Sequence, residues 1–455
     1  MLSLLRRSLA LEIDGASLAV FRVLFGLVML YSTIRFVANG WVQEIYVDPS
    51  FHFTYFGFSW VRVLPETGMY VLFLVVGLAS IGIALGAFYR FCVLVFLLGF
   101  TYLELCDKTT YLNHYYLMSL VAFLMLFMPL HRTWSVDSWR RGNETGTVPR
   151  WTLLTLRLQL GLVYFYAGLA KLNHDWLIRG EPLATWLQTH TDLPLVGPLM
   201  DELWVALLAS WTGAIFDLLV FPALLWPKTR RYAYAVVVVF HLMTALLFPI
   251  GVFPWVMMAL TTAFFAPDWP RQAWARIRRA TQSTTSESPK EASGPRDSRL
   301  LPSWAILLLA GWFLIQFAVP LRFLVYPGNT HWTEEGYRFS WKVMLIEKTG
   351  QVDFLVRGKE TGREWTIHPR EDLTPLQIRM MTTQPDMILE YAHRLRERFR
   401  QEAGEDVEVR ADAVVAFNGR RSQPLIDPRV DLGRQRESFT PKPWIVPLNS
   451  SGALR

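Results

Sequence analysis

Apolar residues arrive in long runs through the first 270 positions, each broken by a short polar or proline-containing loop, and one further run follows at 302 to 320. A bilayer crossing needs about 20 mainly apolar residues. The runs at 17 to 37, 69 to 88, 90 to 106, 115 to 130, 151 to 170, 203 to 226, 232 to 248, 251 to 267 and 302 to 320 meet that need and predict nine transmembrane helices. From Gly336 the period shortens. The stretches YRFSWKVMLIE (337 to 347), VDFLVRG (352 to 358) and REWTIHP (363 to 369) alternate in the manner of antiparallel strands, with turns expected at 349 to 350 and 361 to 362. Residues 374 to 402 carry Met and Leu at helical spacing, and another strand region is expected near 406 to 418. The predicted architecture is a polytopic α-helical membrane bundle of about nine spans followed by a small, strand-rich α+β domain outside the membrane. Its expected parts are a bundle at 1–270, a basic disordered cytoplasmic loop at 271–301, a last span at 302–320 and an outer-face domain at 321–455.

Composition agrees with two environments. The hydrophobic set makes up 52% of the chain and charged residues only 18%, against about a quarter in soluble domains. A net charge of +7 raises nucleic acid as a partner, but the basic residues sit mainly in short loops between apolar runs. With Arg6 and Arg7 inside, one set of loops carries Arg90, Arg132, Arg140, Arg141, Arg150, Lys228, Arg230, Arg231 and the basic stretch 271 to 299, and the opposite set holds chiefly Arg62, Lys108, Lys171 and Arg179. This bias predicts a cytoplasmic N-terminus and a C-terminal domain on the non-cytoplasmic (periplasmic or lumenal) face, with no nucleic acid among the partners. The first apolar run reads as a retained anchor, since no small-residue cleavage site precedes Asp14. Cys92 and Cys106, roughly 21 Å apart on one helix, cannot form a disulfide with each other.

Polar groups beside spans are the places to look for chemistry, because an ionisable residue at mid-bilayer is costly. Three clusters stand out: DKTTYLNHYY (107 to 116), YFYAGLAKLNHDW (164 to 176) and FHLMTALLFPIGVFPW (240 to 255). The predicted topology brings Asn113, His114 and Lys171 to the same outer face. A structural reading competes for each residue. Lys171 can snorkel to the headgroups, His114 can bond a carbonyl at the interface, His241 can bridge helices, and Asp217 can serve as a structural ion-pair partner. No zinc or haem spacing, P-loop or nucleophile elbow occurs, and no metal site is expected.

The runs DKTTYLNHYYLMSLVAF, WSVD at 134 to 137, VYFYAGLAKLNHDW, and Phe240-His241 with LFPIG resemble the membrane core of the vitamin K-dependent gamma-glutamyl carboxylases. NTHWTEEGYRFSW at 329 to 341, IDPRVD at 426 to 431 and PWIVPL at 443 to 448 are similar to that family's C-terminal region, in the same order. The resemblance implies an enzyme that couples oxidation of vitamin K hydroquinone, or menaquinol, to its epoxide by O2 with carboxylation of peptide glutamate by CO2. It implies Lys171 as the base toward the hydroquinone, with Asn113 and His114 as catalytic partners. Tyr164 and His241 are implied as cofactor-binding residues, and Ser340, Trp341 and Arg429 as substrate-binding positions. The implied partners are a glutamate-containing peptide or protein, membrane lipid and the quinol. Two positions depart from the animal enzymes: Ala170 stands where a second lysine is common, and Lys342 where an acidic residue is usual. Compactness makes the chain look more like bacterial members of the family.

The chemistry fits the surroundings expected for it. An apolar pocket disfavours the ammonium form of a lysine and so makes it a base near neutrality, and it excludes water that would quench a strong base. A quinol epoxidase or oxidoreductase without peptide carboxylation, and a non-enzymatic transporter or scaffold, are the other readings. Lys171→Ala separates them: it abolishes quinol turnover in an enzyme and is silent in a scaffold.

Overall fold

The computed structural model describes residues 2–142, 146–281 and 300–449. Among the described residues, seven helices are long and apolar enough to cross a membrane: Ala16–Ala38, Glu66–Leu85, Tyr89–Cys106, Arg150–Lys171, Leu203–Leu225, Arg230–Leu247 and Ser303–Val325. Two shorter apolar helices, Asn113–Phe127 and Phe253–Phe264, fall on the remaining two expected runs. Their brevity has local causes. The first stops where Met128 takes extended backbone, the geometry a following proline demands. The second is preceded by Pro249 and by Gly251 at φ 63°. We refer to the nine as spans one to nine in chain order.

Leu74, Leu78, Phe91, Leu98, Leu208, Leu246, Leu307 and Leu314 are each more than half exposed on the bundle's exterior. In lipid such side chains need no cover, while the helical backbone satisfies its own polar groups. The ninth span is the extreme case, with only Gln316 and Pro320 buried. Gln316 accepts from Gln159 at 3.2 Å and so ties this span to the fifth. Between the fifth and sixth spans, a Cβ on Gly168 would stand 2.8 Å from Leu218 Cγ and 2.9 Å from its backbone nitrogen. Only glycine lets these two helices approach so closely, the small-residue contact common in membranes.

Contacts identify the two ends of the bundle. At one end, strand β1 (Glu12–Asp14) pairs with β2 (Thr147–Pro149). There Arg132 meets Glu12, Arg271 meets Asp14, and Arg6 donates to the carbonyl of Leu301. At the other end the loops 48–64, 107–112 and 172–202 meet the C-terminal domain. Phe53 is wholly buried in that domain's core, Arg420 grips Asp175 with two bonds of 2.5 and 2.8 Å, and Trp186 donates to Glu347.

The C-terminal domain is a four-stranded antiparallel sheet in the order β4 (Glu364–Ile367), β3 (Lys348–Gly358), β5 (Val407–Phe417), β6 (Gln423–Pro424). Every second residue of β5, from Val407 to Phe417, is buried, the period-two signature of a sheet with one covered face. The helix Pro385–Glu402 covers it with Met387, Ile388, Leu389, Tyr391, Ala392 and Leu395.

Three features differ from the sequence-based expectation. Residues 337 to 347 form turns and coil rather than a strand, because Phe339, Trp341 and Met344 adopt positive φ of 62°, 56° and 57°. Their large side chains find aromatic partners in the bundle, Phe339 and Trp341 both packing on Tyr116. Thr349 and Gly350, expected at a turn, lie inside β3 opposite Ala416 and Val415, whereas the turn at 361 to 362 is present, with Gly362 at φ 68°. The helical region 374 to 402 divides into Pro375–Met381 and Pro385–Glu402, since Pro385 forces Gln384 out of helical conformation. Most of the expected cytoplasmic loop, 282 to 299, lies outside the described residues.

Candidate active site

Where the bundle meets the C-terminal domain there is a cavity of about 810 Å³, inside the range of about 300–1,000 Å³ typical of small-molecule sites. The bundle contributes Trp41, Asn113, His114, Tyr115 and Phe253, and the C-terminal domain contributes Tyr337, Arg338, Lys342 and Lys348. Asn113 and His114 open the fourth span, so the helix start fixes both on the cavity wall. Asn113 accepts from Tyr111 at 3.0 Å and donates to the Lys342 carbonyl at 3.2 Å, which locks the bundle to the domain above. The His114 ring sits edge-on to Tyr115 and 5.7 Å from Phe253. No hydrogen bond to that ring occurs among the described residues, so its nitrogens are left to whatever occupies the cavity.

Behind Phe253 lies a second polar group. The His241 ring is 5.6 Å from Phe253, and its Nε2 lies 3.4 Å from the Tyr164 hydroxyl, which also meets Thr261 Oγ1 at 3.1 Å. His241 Nδ1 is buried without a hydrogen-bond partner, an uncommon and costly state for a ring nitrogen.

Lys171 ends the fifth span, and its Nζ is 2.6 Å from Asp217 Oδ2 with both side chains buried. It also lies 5.2 Å from the centre of the Trp176 ring. The close approach at Gly168, one turn earlier, brings the two backbones near enough for this pair. Phe216, the neighbour of Asp217, packs edge-on to Tyr164 and to His241, so the ion pair and the histidine–tyrosine group flank the same stretch of the sixth span. Lys171 therefore has a carboxylate partner as well as apolar surroundings. Asp217, read from the sequence as a structural ion-pair partner, is that carboxylate.

Lys171, Tyr164 and His241 do not line the large cavity, and neither do Ser340, Trp341 or Arg429. The Ser340 hydroxyl donates to the carbonyls of Gly336 and Tyr337. Trp341 is buried and stacked on Tyr116. Arg429 is solvent-exposed and paired with Asp427. The structure thus gathers Asn113 and His114 on one wall, places Tyr164 and His241 behind it, and keeps the three outer positions apart.

Several charged residues at the site are not among those to which the sequence assigns a role. Lys108 reaches Glu390 at 2.8 Å and Asp386 at 3.2 Å, and Arg338 meets Asp386 at 2.7 Å. Burial opposes charge in Asp386, but Arg338 and Lys108 hold it well below the usual carboxylate range. Lys348 is bound to Glu334 at 2.8 Å. Lys342 is the exception: burial lowers it to about 8, and no carboxylate lies within ion-pair distance among the described residues. Charged residues inside an otherwise coil-like segment were the available hint. Among the described residues, no group of three or more His, Cys, Asp or Glu is placed to hold a metal ion.

A bundle of apolar helices capped by a sheet domain, with a cavity between them, defines a polytopic membrane protein. Residues 11–269 match the family model described as HTTM domain, and residues 302–451 match vitamin K-dependent gamma-carboxylase, lumenal domain. The chain belongs to the gamma-glutamyl carboxylase family. No solved structure matches it.

Proposed function

We propose that the protein is a membrane-bound γ-glutamyl carboxylase that uses vitamin K hydroquinone or menaquinol, O2 and CO2 to carboxylate glutamate in a peptide or protein. The observation that carries this reading is the cavity at the join of the two matched domains, with Asn113 and His114 exposed to it and a buried lysine–carboxylate pair nearby. Its volume and its wall of Trp41, Tyr115 and Phe253 suit a flat, apolar ring. When bound, the reduced quinone would supply the electrons that reduce O2, and that oxidation would generate the strong base.

The protein's own residues have narrower tasks. Lys171 does not line the cavity and would take a proton from a quinol hydroxyl that reaches past its wall. For this it must first be an amine, its own proton lost to solvent, with Asp217 at 2.6 Å still a carboxylate. Asp217 then balances the ammonium once Lys171 is protonated again, as expected of a general base with an oriented partner. Asn113 and His114 hydrogen-bond to developing negative charge. Phe253 and Tyr115 keep water from the site. The bias of basic residues, and the contacts that gather residues 6, 132, 150 and 271 at one end, support a cytoplasmic N-terminus with the C-terminal domain across the membrane.

That Ser340, Trp341 and Arg429 are not among the residues lining the cavity favours a second reading, quinol epoxidation without peptide carboxylation. One experiment separates the two: incorporation of 14C-bicarbonate into a glutamate-rich peptide by the purified protein, with reduced vitamin K or menaquinol, beside Lys171→Ala, with epoxide measured in the same tubes. Label and epoxide that both disappear in the variant support the carboxylase. Epoxide without label supports the second reading, and neither product with any quinol refutes both.

A further inference from the structure

Six lysines and arginines among the described residues line the cavity. Arg35 stacks on Trp41, Arg379 is exposed, and of the other four, Lys108, Arg338, Lys342 and Lys348, three are already paired with carboxylates. Lys108 and Arg338 share Asp386, with Glu390 also on Lys108, and Lys348 is held by Glu334. Lys342 has no such partner. Its residue is 5% exposed, its Nζ lies 4.0 Å from the centre of the Phe323 ring, and its one hydrogen-bond partner among the described residues is His331 Nε2 at 3.5 Å. The backbone beside it is pinned, for its carbonyl accepts from Asn113 Nδ2 at 3.2 Å and from the Tyr337 hydroxyl at 3.1 Å. The Lys342 backbone is thus tied to the start of the fourth span, which carries Asn113 and His114, while its ammonium rests against Phe323 and His331.

A buried cation left without a counter-charge is expensive unless a ligand supplies one, and a carboxylate is the group that does so best. We infer that Lys342 is the docking cation for the substrate's carboxylate, so that it selects an acidic side chain over its neutral amide in this cavity. That the acid is a glutamyl side chain rests on the carboxylase reading; that an organic carboxylate binds here rests on the geometry alone.

The charge on Lys342 gives the site a pH limit. Facing it are His331 from the short helix Thr330–Thr333, the neutral Asn113 from the fourth span and Phe323 from the last turn of the ninth. Glu334, Glu347 and Lys348 lie along its own segment. Glu334 is taken by Lys348 and Glu347 accepts from Trp186. His331 is pushed down to about 3 by burial and by Lys342 and Lys348, so it stays neutral while Lys342 titrates. Carboxylate binding therefore needs the protonated lysine, is present below about pH 8 and fades above it.

The test is direct binding, which does not depend on turnover. A fluorescein-labelled glutamyl peptide and its glutaminyl twin are titrated by anisotropy against the purified full-length protein in detergent, as wild type, Lys342→Met and Lys342→Arg. The wild type is expected to prefer the glutamyl peptide by about tenfold to a hundredfold at pH 7, the worth of one charge-assisted hydrogen bond. Lys342→Met abolishes the preference. Lys342→Arg keeps it and, unlike wild type, holds it beyond pH 9. A preference that survives in Lys342→Met, an absent preference in wild type, or a wild-type profile flat to pH 9 would each overturn the inference. Should Lys342→Met fail to fold, the wild-type and Lys342→Arg profiles still decide. Carboxylation in the same preparations reports separately on the proposed function, since a peptide can bind through Lys342 and yet not be carboxylated.

Discussion

Asp217→Asn is the sharpest perturbation available, because asparagine keeps the size of the side chain and removes only its charge and basicity. In the native bundle Lys171 Nζ sits 2.6 Å from Asp217 Oδ2, with side chains only 7% and 8% exposed. Hydrogen bonds to charged groups are worth about 1.5–3 kcal/mol. Leaving one member of a buried pair charged and alone costs about 3–5 kcal/mol. Lys171 escapes most of the latter by giving up its proton, so the bundle should still assemble. What it cannot escape is the loss of a counter-charge when it accepts a proton from the quinol. If the whole of that hydrogen bond is felt in the transition state, the barrier rises by about 1.5–3 kcal/mol and kcat falls by about 10- to 150-fold. The assay is epoxide formation by the purified protein under saturating quinol, for wild type, Asp217→Asn, Lys171→Ala and the double variant. The two residues act as one unit, so the double variant should be no slower than Lys171→Ala. An Asp217→Asn enzyme with more than half the wild-type rate, or a double variant showing the product of both single losses, would refute the assignment of Asp217 to the chemistry.

Other outcomes follow from the packing. Gly168→Val places a Cβ against the Leu218 backbone, which must shift, so a loss of about 1–3 kcal/mol in stability is expected, with epoxidation falling as the Lys171–Asp217 register moves. An unchanged melting temperature would contradict the close approach. Lys108→Met leaves Glu390 without its cation and should lower the melting temperature of the purified protein, since breaking a buried pair costs about 3–5 kcal/mol; differential scanning fluorimetry in detergent reads it. Asp386 has a depressed folded-state value, so its contribution is complete above about pH 4 and is lost as pH falls through that folded value. Asp386→Asn should then flatten the acid limb of a melting-temperature profile while lowering its neutral plateau. A protease site placed after the C-terminal domain should be cut from outside spheroplasts and protected in inverted vesicles; the reverse pattern would invert the proposed orientation.

Hydrophobic patterning alone determined the nine apolar helices and the presence of a strand-rich terminal domain. A bilayer imposes a length and a polarity on each span that no neighbour needs to supply. The order of short motifs fixed the family, and the polar residues beside spans marked Asn113, His114, Tyr164, Lys171 and His241 as worth attention. Tertiary structure decided what those residues face. Nothing in the sequence says that Lys171 finds Asp217, 46 positions away, because that pair depends on how closely Gly168 lets two helices pack. Nor does alternation at 337 to 347 reveal coil, since the pull on Phe339 and Trp341 comes from Tyr116 on a distant helix. Periodicity records which side of an element is apolar, whereas partners of charged groups are set by distances between elements, and those exist only once the bundle and its cap have closed on each other.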